Sequence, residues 1–192
     1  MNRRELQPPG AGLPAFEKFY LNVGFKIGSS LTSDDRALAL FDRVSKGILQ
    51  FIDPVDIDVL SQPVLIPRVQ GIEDSSRNWS VLMVLEHLNM VNRAIMSTIR
   101  ELHGNRSPFG EVAIEEYKPD PDVDAGVIDE FRETNRRYRN FVLSHKPLRT
   151  SMHHVHPWFG FLDGHQWHFL AAVHQRIHSR QIQKILTLHG IA

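Results

Sequence analysis

Apolar residues recur at three- and four-residue intervals in four segments of the chain. This spacing places them on one face of a helix, whereas strict alternation would indicate a half-buried strand. None of the four segments contains a proline. We therefore predict helices at 33–52, 79–102, 124–145 and 165–188.

Residues with known capping preferences lie at the ends of these segments. Ser33 is a typical N-cap, and Asp34 and Asp35 favour the positive end of the helix that follows it. Pro54 ends this first helix, and Gly104 ends the second. The end signals therefore agree with the apolar spacing.

Two long connections separate the predicted helices. Residues 54–78 contain Pro63 and Pro67, so they predict a crossover packed on the helices rather than an interior strand. Residues 106–123 are predicted to be a loop. Four long helices with such connections indicate an all-α fold, a four-helix bundle with long crossover connections. We assign the bundle to residues 33–192.

Residues 1–32 are predicted to form an N-terminal arm or short helix. Their apolar cluster is larger than one helix face requires, which favours contact with the bundle or with a partner chain. We therefore expect a homodimer. The cluster comprises Phe16, Phe19, Tyr20, Val23 and Phe25.

Composition excludes several classes of function. The chain of 192 residues has no cysteine, which excludes disulfides, thiolate zinc sites and a cysteine nucleophile. Its 22 basic and 22 acidic side chains leave no basic stripe for nucleic acid. Without a signal-like segment or a stretch of about 20 apolar residues, we expect a cytoplasmic protein that does not bind membranes.

Histidine is the residue type that most suggests chemistry, since eight of the eleven histidines lie between 153 and 189. His174 and His178 are four residues apart and share the apolar stripe of the last helix. His87 lies in the apolar stripe of the second helix, and a pair at this spacing with one further histidine is a typical open metal site. The alternative is a hydrogen-bonded histidine cluster without metal. On the last helix, the polar residues expected on the opposite, wet side are Gln175, Arg176, Ser179, Arg180 and Gln183.

Two segments resemble the DinB-like (DinB/YfiT) superfamily. The first, 79–88, reads WSVLMVLEHL; the second comprises HPWFG at 156–160 and HQRIHSRQI at 174–182. Over about 33–190 the resemblance implies an up-down-down-up bundle, commonly dimeric, with a divalent metal on three histidines. The matching positions are His87, His174 and His178. Members of known activity include thiol-dependent transferases and isomerases, and metal-dependent hydrolases.

Other side chains are candidates for the surroundings of the metal. His156 is a candidate catalytic acid or base or a substrate clamp, although it could merely fix a turn with Pro157. Trp158, Tyr138 and Asn135 are candidate substrate-binding residues. Four further histidines are expected to lie at or near the surface: His153, His154, His165 and His168.

The inward-facing histidines favour a metal-dependent enzyme acting on a small molecule, and the resemblance implies a thiol-dependent transferase or isomerase or a hydrolase. Its cofactor would be divalent zinc, nickel or iron. A low-molecular-weight thiol, if used, must come from outside, because the chain has none. The alternatives are a non-catalytic metal- or ligand-binding protein and a structural dimer whose metal only stabilises the bundle.

Overall fold

The computed structural model describes residues 6–106, 110 and 113–191. It contains two small antiparallel strand pairs and six α-helices within these residues. The helices are α1 (Ala15–Leu31), α2 (Asp34–Ile52), α3 (Ile57–Ser61), α4 (Val81–His103), α5 (Gly126–His145) and α6 (Gly164–Leu188). The prediction of four long helices is confirmed by α2, α4, α5 and α6, whose ends differ from the predicted ones by at most two residues.

Side chains at the helix starts supply the hydrogen bonds that the first backbone N–H groups lack. The Ser33 hydroxyl accepts from the Arg36 N–H at 3.3 Å. At the start of α6, the Asp163 carboxylate accepts from the Gln166 N–H at 2.8 Å, and the Gln166 side chain accepts in return from the Asp163 N–H at 3.0 Å. This reciprocal cap fixes where the histidine-rich helix begins.

Contacts between helix ends establish the up-down-down-up topology. The starts of α2 and α6 lie together, since His165 donates to Asp34, and the end of α5 reaches the start of α2 through a salt bridge between Lys146 and Asp35. Helices α4 and α5 are parallel, because the rings of His103 and His145 at their ends are 5.9 Å apart. Helices α2 and α6 therefore run in one direction, and α4 and α5 in the other.

Helix α6 packs against both α2 and α4, and α4 also packs against α5. This position gives α6 a wider buried surface than one apolar stripe. The prediction that His165, His168 and Gln175 face solvent is therefore wrong: they are 4%, 0% and 0% exposed. The polar side of a helix with two large neighbours cannot be identified from its spacing alone.

The buried histidines at the start of α6 belong to a polar network. His165 Nδ1 lies 2.6 Å from Asp34 Oδ1, and its Nε2 lies 2.9 Å from the Ser29 carbonyl oxygen. His168 donates from Nε2 to the Asp34 carbonyl at 3.0 Å and accepts at Nδ1 from the Tyr138 hydroxyl at 2.9 Å. The network joins α1, α2, α5 and α6 and satisfies groups that would otherwise be costly to bury.

Four short strands lie in the segments that connect the helices. In the crossover, β1 (Val64–Leu65) pairs with β2 (Asn78–Trp79). Before α6, β3 (His154–His156) and β4 (Gly160–Leu162) form a hairpin. His154 in this hairpin is 5% exposed, so its predicted exposure is wrong, whereas His153 is exposed. Strands of two or three residues are too short to show a periodicity.

The N-terminal segment folds as a 17-residue helix, α1, with one side on the bundle. Phe25 is buried and stacks on Phe159 with ring centroids 4.4 Å apart. Gly28 allows a close approach to α6, because a Cβ there would lie 2.9 Å from the Phe169 ring. The other side of α1 exposes large apolar residues: Phe16, Phe19, Tyr20, Val23, Ile27 and Leu31.

No helix in the described part of the chain combines the length and the apolar character that a membrane span needs.

Candidate metal centre

His87, His174 and His178 come together between α4 and α6. One ring nitrogen from each forms a set whose members all lie within 4.8 Å of one another. The Nε2 atoms of His87 and His174 are 3.1 Å apart. Each histidine lies in the apolar stripe of its helix. Because α4 packs against α6, these two stripes face each other and the histidines meet.

Hydrogen bonds to the outer ring nitrogens orient two of the histidines. His87 donates from Nδ1 to the Tyr117 carbonyl at 2.6 Å. His178 donates from Nδ1 to the Gln181 side-chain oxygen at 2.7 Å, and the Gln181 amide donates to the Ser76 carbonyl at 2.8 Å. With the proton on Nδ1, each neutral ring keeps its lone pair on Nε2 for a metal, as in second-shell contacts of metal sites.

His174 differs from the other two in lacking an outer partner. Its Nδ1 is buried without a hydrogen bond to any described residue. Its Nε2 faces the lone pair of His87 Nε2, an arrangement that only a shared proton or a cation makes favourable. Zinc binds imidazole at about 2.0–2.1 Å with tetrahedral geometry, which places two ligand nitrogens about 3.3 Å apart. The observed 3.1 Å separation fits this donor set.

Burial keeps all three imidazoles neutral. It lowers the pKa of His87 to about 4, with the positive charge of Lys118 adding to the effect, although the bond to Tyr117 opposes it. Burial also lowers the pKa of His174 and of His178 well below 6.5, and the neighbouring histidines lower both further. Neutral imidazole is the form that binds metal. The three imidazoles can therefore bind a cation without first releasing protons.

A ring of polar and aromatic groups surrounds the cluster. Trp79 lies parallel to His178 with ring centroids 6.3 Å apart. The Lys118 ammonium group lies over the Trp79 ring, 5.5 Å from its centroid. The same ammonium group donates to Glu73 at 2.8 Å and to Ser76 at 2.8 Å. The charges nearest the three histidines are thus already paired with each other.

The three histidines line one cavity of about 310 Å³. Helices α1, α4 and α6 form its walls, and the hairpin β3–β4 and the loops around Ile72 and Tyr117 complete them. Three protein ligands with an adjoining cavity are typical of catalytic zinc sites, whereas structural sites have four protein ligands. Among the described residues, no fourth histidine, aspartate or glutamate joins this group.

His156 lines the same cavity, packed against the ring of Phe159. Its Nδ1 accepts a hydrogen bond from the Trp158 backbone N–H at 3.1 Å. Burial lowers the pKa of His156 to about 3, and the charge of His154 acts in the same direction. The neutral ring therefore carries its proton on Nε2, so it can donate a hydrogen bond but is a weak base.

Two solved structures are similar to this chain. A crystal structure of TT2238, a four-helix bundle protein, is 24% identical, covers 79% of this chain and 98% of its own, and has a TM-score of 0.53. YfiT from Bacillus subtilis, described as a probable metal-dependent hydrolase with an unusual four-helix bundle topology, is 13% identical, with coverages of 98% and 97% and a TM-score of 0.57.

The chain shares the four-helix bundle fold of these two structures. At these identities the comparisons show the fold alone, which confirms the structural part of the resemblance. Neither a protein-family model nor a curated protein sequence matches the chain.

The remaining predicted site residues divide into two groups within the bundle. Trp158 lines the cavity beside His156. Tyr138 and Asn135 do not line it, which corrects their predicted position. Tyr138 is fully buried between Phe41 and His168. Asn135 accepts from Gln175 at 3.3 Å. Tyr138 thus packs against α2, and Asn135 also accepts from Asn92 of α4 at 3.5 Å. The pattern of α5 alone does not show which neighbouring helix each side chain contacts.

Several residues around the histidine cluster were not predicted from the sequence. Tyr117 contributes a backbone carbonyl, which no residue type reveals. Gln181 had a usable signal, because it follows His178 by three residues and therefore lies on the same side of α6. Glu73 and Lys118 come from different connections, and only the folded chain brings them together.

Proposed function

We propose that this chain is a metal-dependent enzyme that holds a divalent ion on His87, His174 and His178. One observation carries the proposal: three neutral imidazoles meet at the wall of a cavity. Hydrogen bonds to the outer ring nitrogens orient two of them. When bound, such an ion acts as a Lewis acid toward a ligand in its open position. YfiT, with the same fold, is described as a probable metal-dependent hydrolase, and hydrolysis is the reaction class we favour.

The chain's own residues would supply binding and orientation. The Tyr117 carbonyl and Gln181 keep the His87 and His178 lone pairs directed inward. His156 would donate a hydrogen bond from Nε2 to an oxygen of the substrate. With a pKa of about 3 it would not act as a base at neutral pH. The apolar walls would limit the access of bulk water to the reacting group.

A second candidate reaction is transfer to or from a thiol. Three neutral ligands leave the charge of a divalent ion uncompensated, and this charge would lower the pKa of a bound thiol. Since the chain has no cysteine, the thiol would be a separate small molecule. The third possibility is a metal- or ligand-binding protein without turnover.

Metal analysis followed by activity screens tests the proposal. Untagged protein should contain close to one divalent ion per chain by elemental analysis, with zinc, nickel and iron as the candidates. The metal-loaded protein is then assayed for hydrolysis of ester and amide substrates and for thiol transfer, beside the His87→Ala variant. Turnover that requires both metal and His87 supports an enzyme, whereas stoichiometric metal without turnover favours a binding protein. Protein that binds none of these metals overturns the proposal.

A further inference from the structure

The cavity beside the histidines is long and mostly apolar. On α4 its lining extends from His87 to Thr98, which is about 16 Å along the helix at 1.5 Å per residue. On α6 the lining extends over the same length, from His178 back to Trp167. The three histidines therefore occupy one end of an elongated space.

The other end of the cavity is lined by aromatic and aliphatic side chains. Phe25, Phe159 and Phe169 meet there, with Phe25 and Phe169 ring centroids 5.4 Å apart. Leu170 and Val173 extend this surface toward the histidines. Two hydrogen-bond donors lie at this end, His156 Nε2 on a ring 4.9 Å from that of Phe159 and Trp167 Nε1, which donates to no described residue. Most of the remaining lining is apolar, so most of a ligand that fills this end must be apolar, because a polar body would lose its hydrogen bonds to water without replacement.

The charges at the histidine end favour an anionic group. Glu73 is the only acidic side chain among the described residues that line the cavity. Its carboxylate is already bonded to Lys118. Three neutral imidazoles leave both positive charges of a divalent ion uncompensated. A carboxylate or another anionic oxygen or sulfur group would therefore be attracted to this end.

We propose that the site takes an elongated apolar molecule with one anionic head group, the head at the three histidines and the apolar body toward Phe25, Phe159 and Phe169. This inference rests on the proposed metal site for the head group. The apolar body of the ligand is inferred from the cavity walls and does not depend on the metal. The α1 helix is then part of the binding site, since Tyr20, Leu21, Gly24 and Phe25 contribute to those walls.

Glycine and alanine positions allow the cavity to be filled without disturbing the core. A Cβ at Gly24, on the α1 wall, meets no atom within 4 Å. Gly24→Leu should narrow the cavity at this wall, and Ala94→Leu should narrow it from α4. Matched controls are Gly47→Leu, where a Cβ also meets no atom within 4 Å, and Ala39→Leu on the exposed side of α2. Neither control residue lines the cavity.

The test is isothermal titration calorimetry of the full chain, both zinc-loaded and zinc-free. The ligands are hexanoate, octanoate and decanoate below their micelle-forming concentrations, and the uncharged decanol below its solubility limit. Affinity should rise about fourfold per methylene in both states. Decanoate should bind more than tenfold tighter than decanol only with zinc. Gly24→Leu and Ala94→Leu should each weaken decanoate binding at least tenfold, with zinc content and both controls unchanged.

The outcomes separate the two proposals. A wild-type chain that binds zinc but shows no dependence on chain length overturns the apolar body, and one that binds decanoate and decanol equally with zinc overturns the anionic head. Undiminished decanoate binding in both cavity variants also contradicts the assignment to this cavity. If the wild type binds no zinc, the proposed function fails, and the chain-length series on the zinc-free protein still decides whether the cavity takes an apolar body.

Discussion

The Nε2 atoms of His87 and His174 lie 3.1 Å apart, although the residues are 87 positions apart in the chain and belong to different helices. At this distance two lone pairs repel each other unless a proton or a metal ion lies between them. The outer nitrogen of His87 is already committed to the Tyr117 carbonyl. A neutral His174 that donates from Nε2 to His87 would relieve this repulsion without a metal, whereas a bound ion would be held by both nitrogens together with His178. Zinc binding by the wild type, and its loss on replacement of a ligand, distinguishes the two cases and is the first prediction.

Replacing His87, His174 or His178 singly by Ala should weaken zinc binding by more than about a hundredfold. Loss of an outer-shell partner alone typically costs about 10–100-fold, and a lost ligand should cost more. Competition with a chromophoric chelator measures the affinity. The matched control is His153→Ala, because His153 is exposed and outside the cluster.

His165→Ala should also retain zinc, although His165 is buried rather than exposed. It belongs to the Asp34 network and not to the cluster. Its loss should lower the midpoint of thermal unfolding instead. Equal loss of zinc from the His165 and His87 variants would mean that the wrong ligands have been identified.

Gln181→Met should weaken zinc binding about 10–100-fold, because it removes the acceptor that orients His178. It also leaves the Ser76 carbonyl without its donor, so the free energy of unfolding should fall by about 1–3 kcal/mol. Chelator competition and urea unfolding measure the two effects. Gln183→Met on the exposed side of α6 is the control. Unchanged zinc affinity in Gln181→Met would remove Gln181 from the site.

The helices and the inward direction of the three histidines could be predicted from the sequence because both depend on local periodicity. Within α4 and α6 the apolar stripe identifies His87, His174 and His178 as inward-facing. The stripe contains no information on which helices are neighbours. That α6 lies between α2 and α4 is a tertiary property, and it explains why Gln175 was wrongly expected at the surface.

The surroundings of the cluster depend on the connections, where the chain has no regular pattern. The Tyr117 carbonyl belongs to a short 3₁₀ turn, Ile114–Tyr117, in a segment predicted to be a loop. His154 is the buried first residue of the three-residue strand β3. The position of the Tyr117 carbonyl and the burial of His154 both depend on how a connecting segment packs on the bundle. Residue type and spacing do not determine this packing.

The Asp34–His165 pair should stabilise the fold within a defined pH range. Hydrogen bonding to Asp34 raises the pKa of His165 above 6.5. Burial alone would raise the pKa of Asp34, but the hydrogen bonds from His165 and the Leu148 N–H bring it below 3.8. The contribution of His165 is complete below pH 6.5 and is lost as pH rises through its raised pKa. The contribution of Asp34 is complete above pH 3.8 and is lost as pH falls through its lowered pKa.

The difference in free energy of unfolding between wild type and His165→Gln should therefore be largest between pH 3.8 and 6.5 and should shrink on either side. Urea unfolding of both proteins across pH 3 to 9 measures it. Using the difference cancels the effect of the other buried histidines, which are present in both chains. A difference that does not vary with pH would show that His165 is not protonated in the fold.

The chain should form a homodimer through α1. Phe16 and Phe19 are 72% and 64% exposed on a helix whose other side is already on the bundle, and large exposed apolar patches usually mark contacts with partners. Light scattering at micromolar concentration should give twice the chain mass of 22.0 kDa. Phe16→Ser with Phe19→Ser should give a monomer, while Phe161→Ser, at an exposed position on the hairpin, should not. A wild-type monomer would contradict the prediction.

Tyr138→Phe should destabilise the bundle and leave the metal site intact. The Tyr138 hydroxyl donates to His168 Nδ1 at 2.9 Å, and both side chains are fully buried. Burial lowers the pKa of His168 to about 4, so the ring is neutral and its Nδ1 would be left as an unpaired acceptor. The free energy of unfolding should fall by about 1–3 kcal/mol. Tyr20→Phe is the control because Tyr20 is 58% exposed. Unchanged stability in Tyr138→Phe, or loss of zinc from it, would contradict the assignment of Tyr138 to the core network rather than to the site.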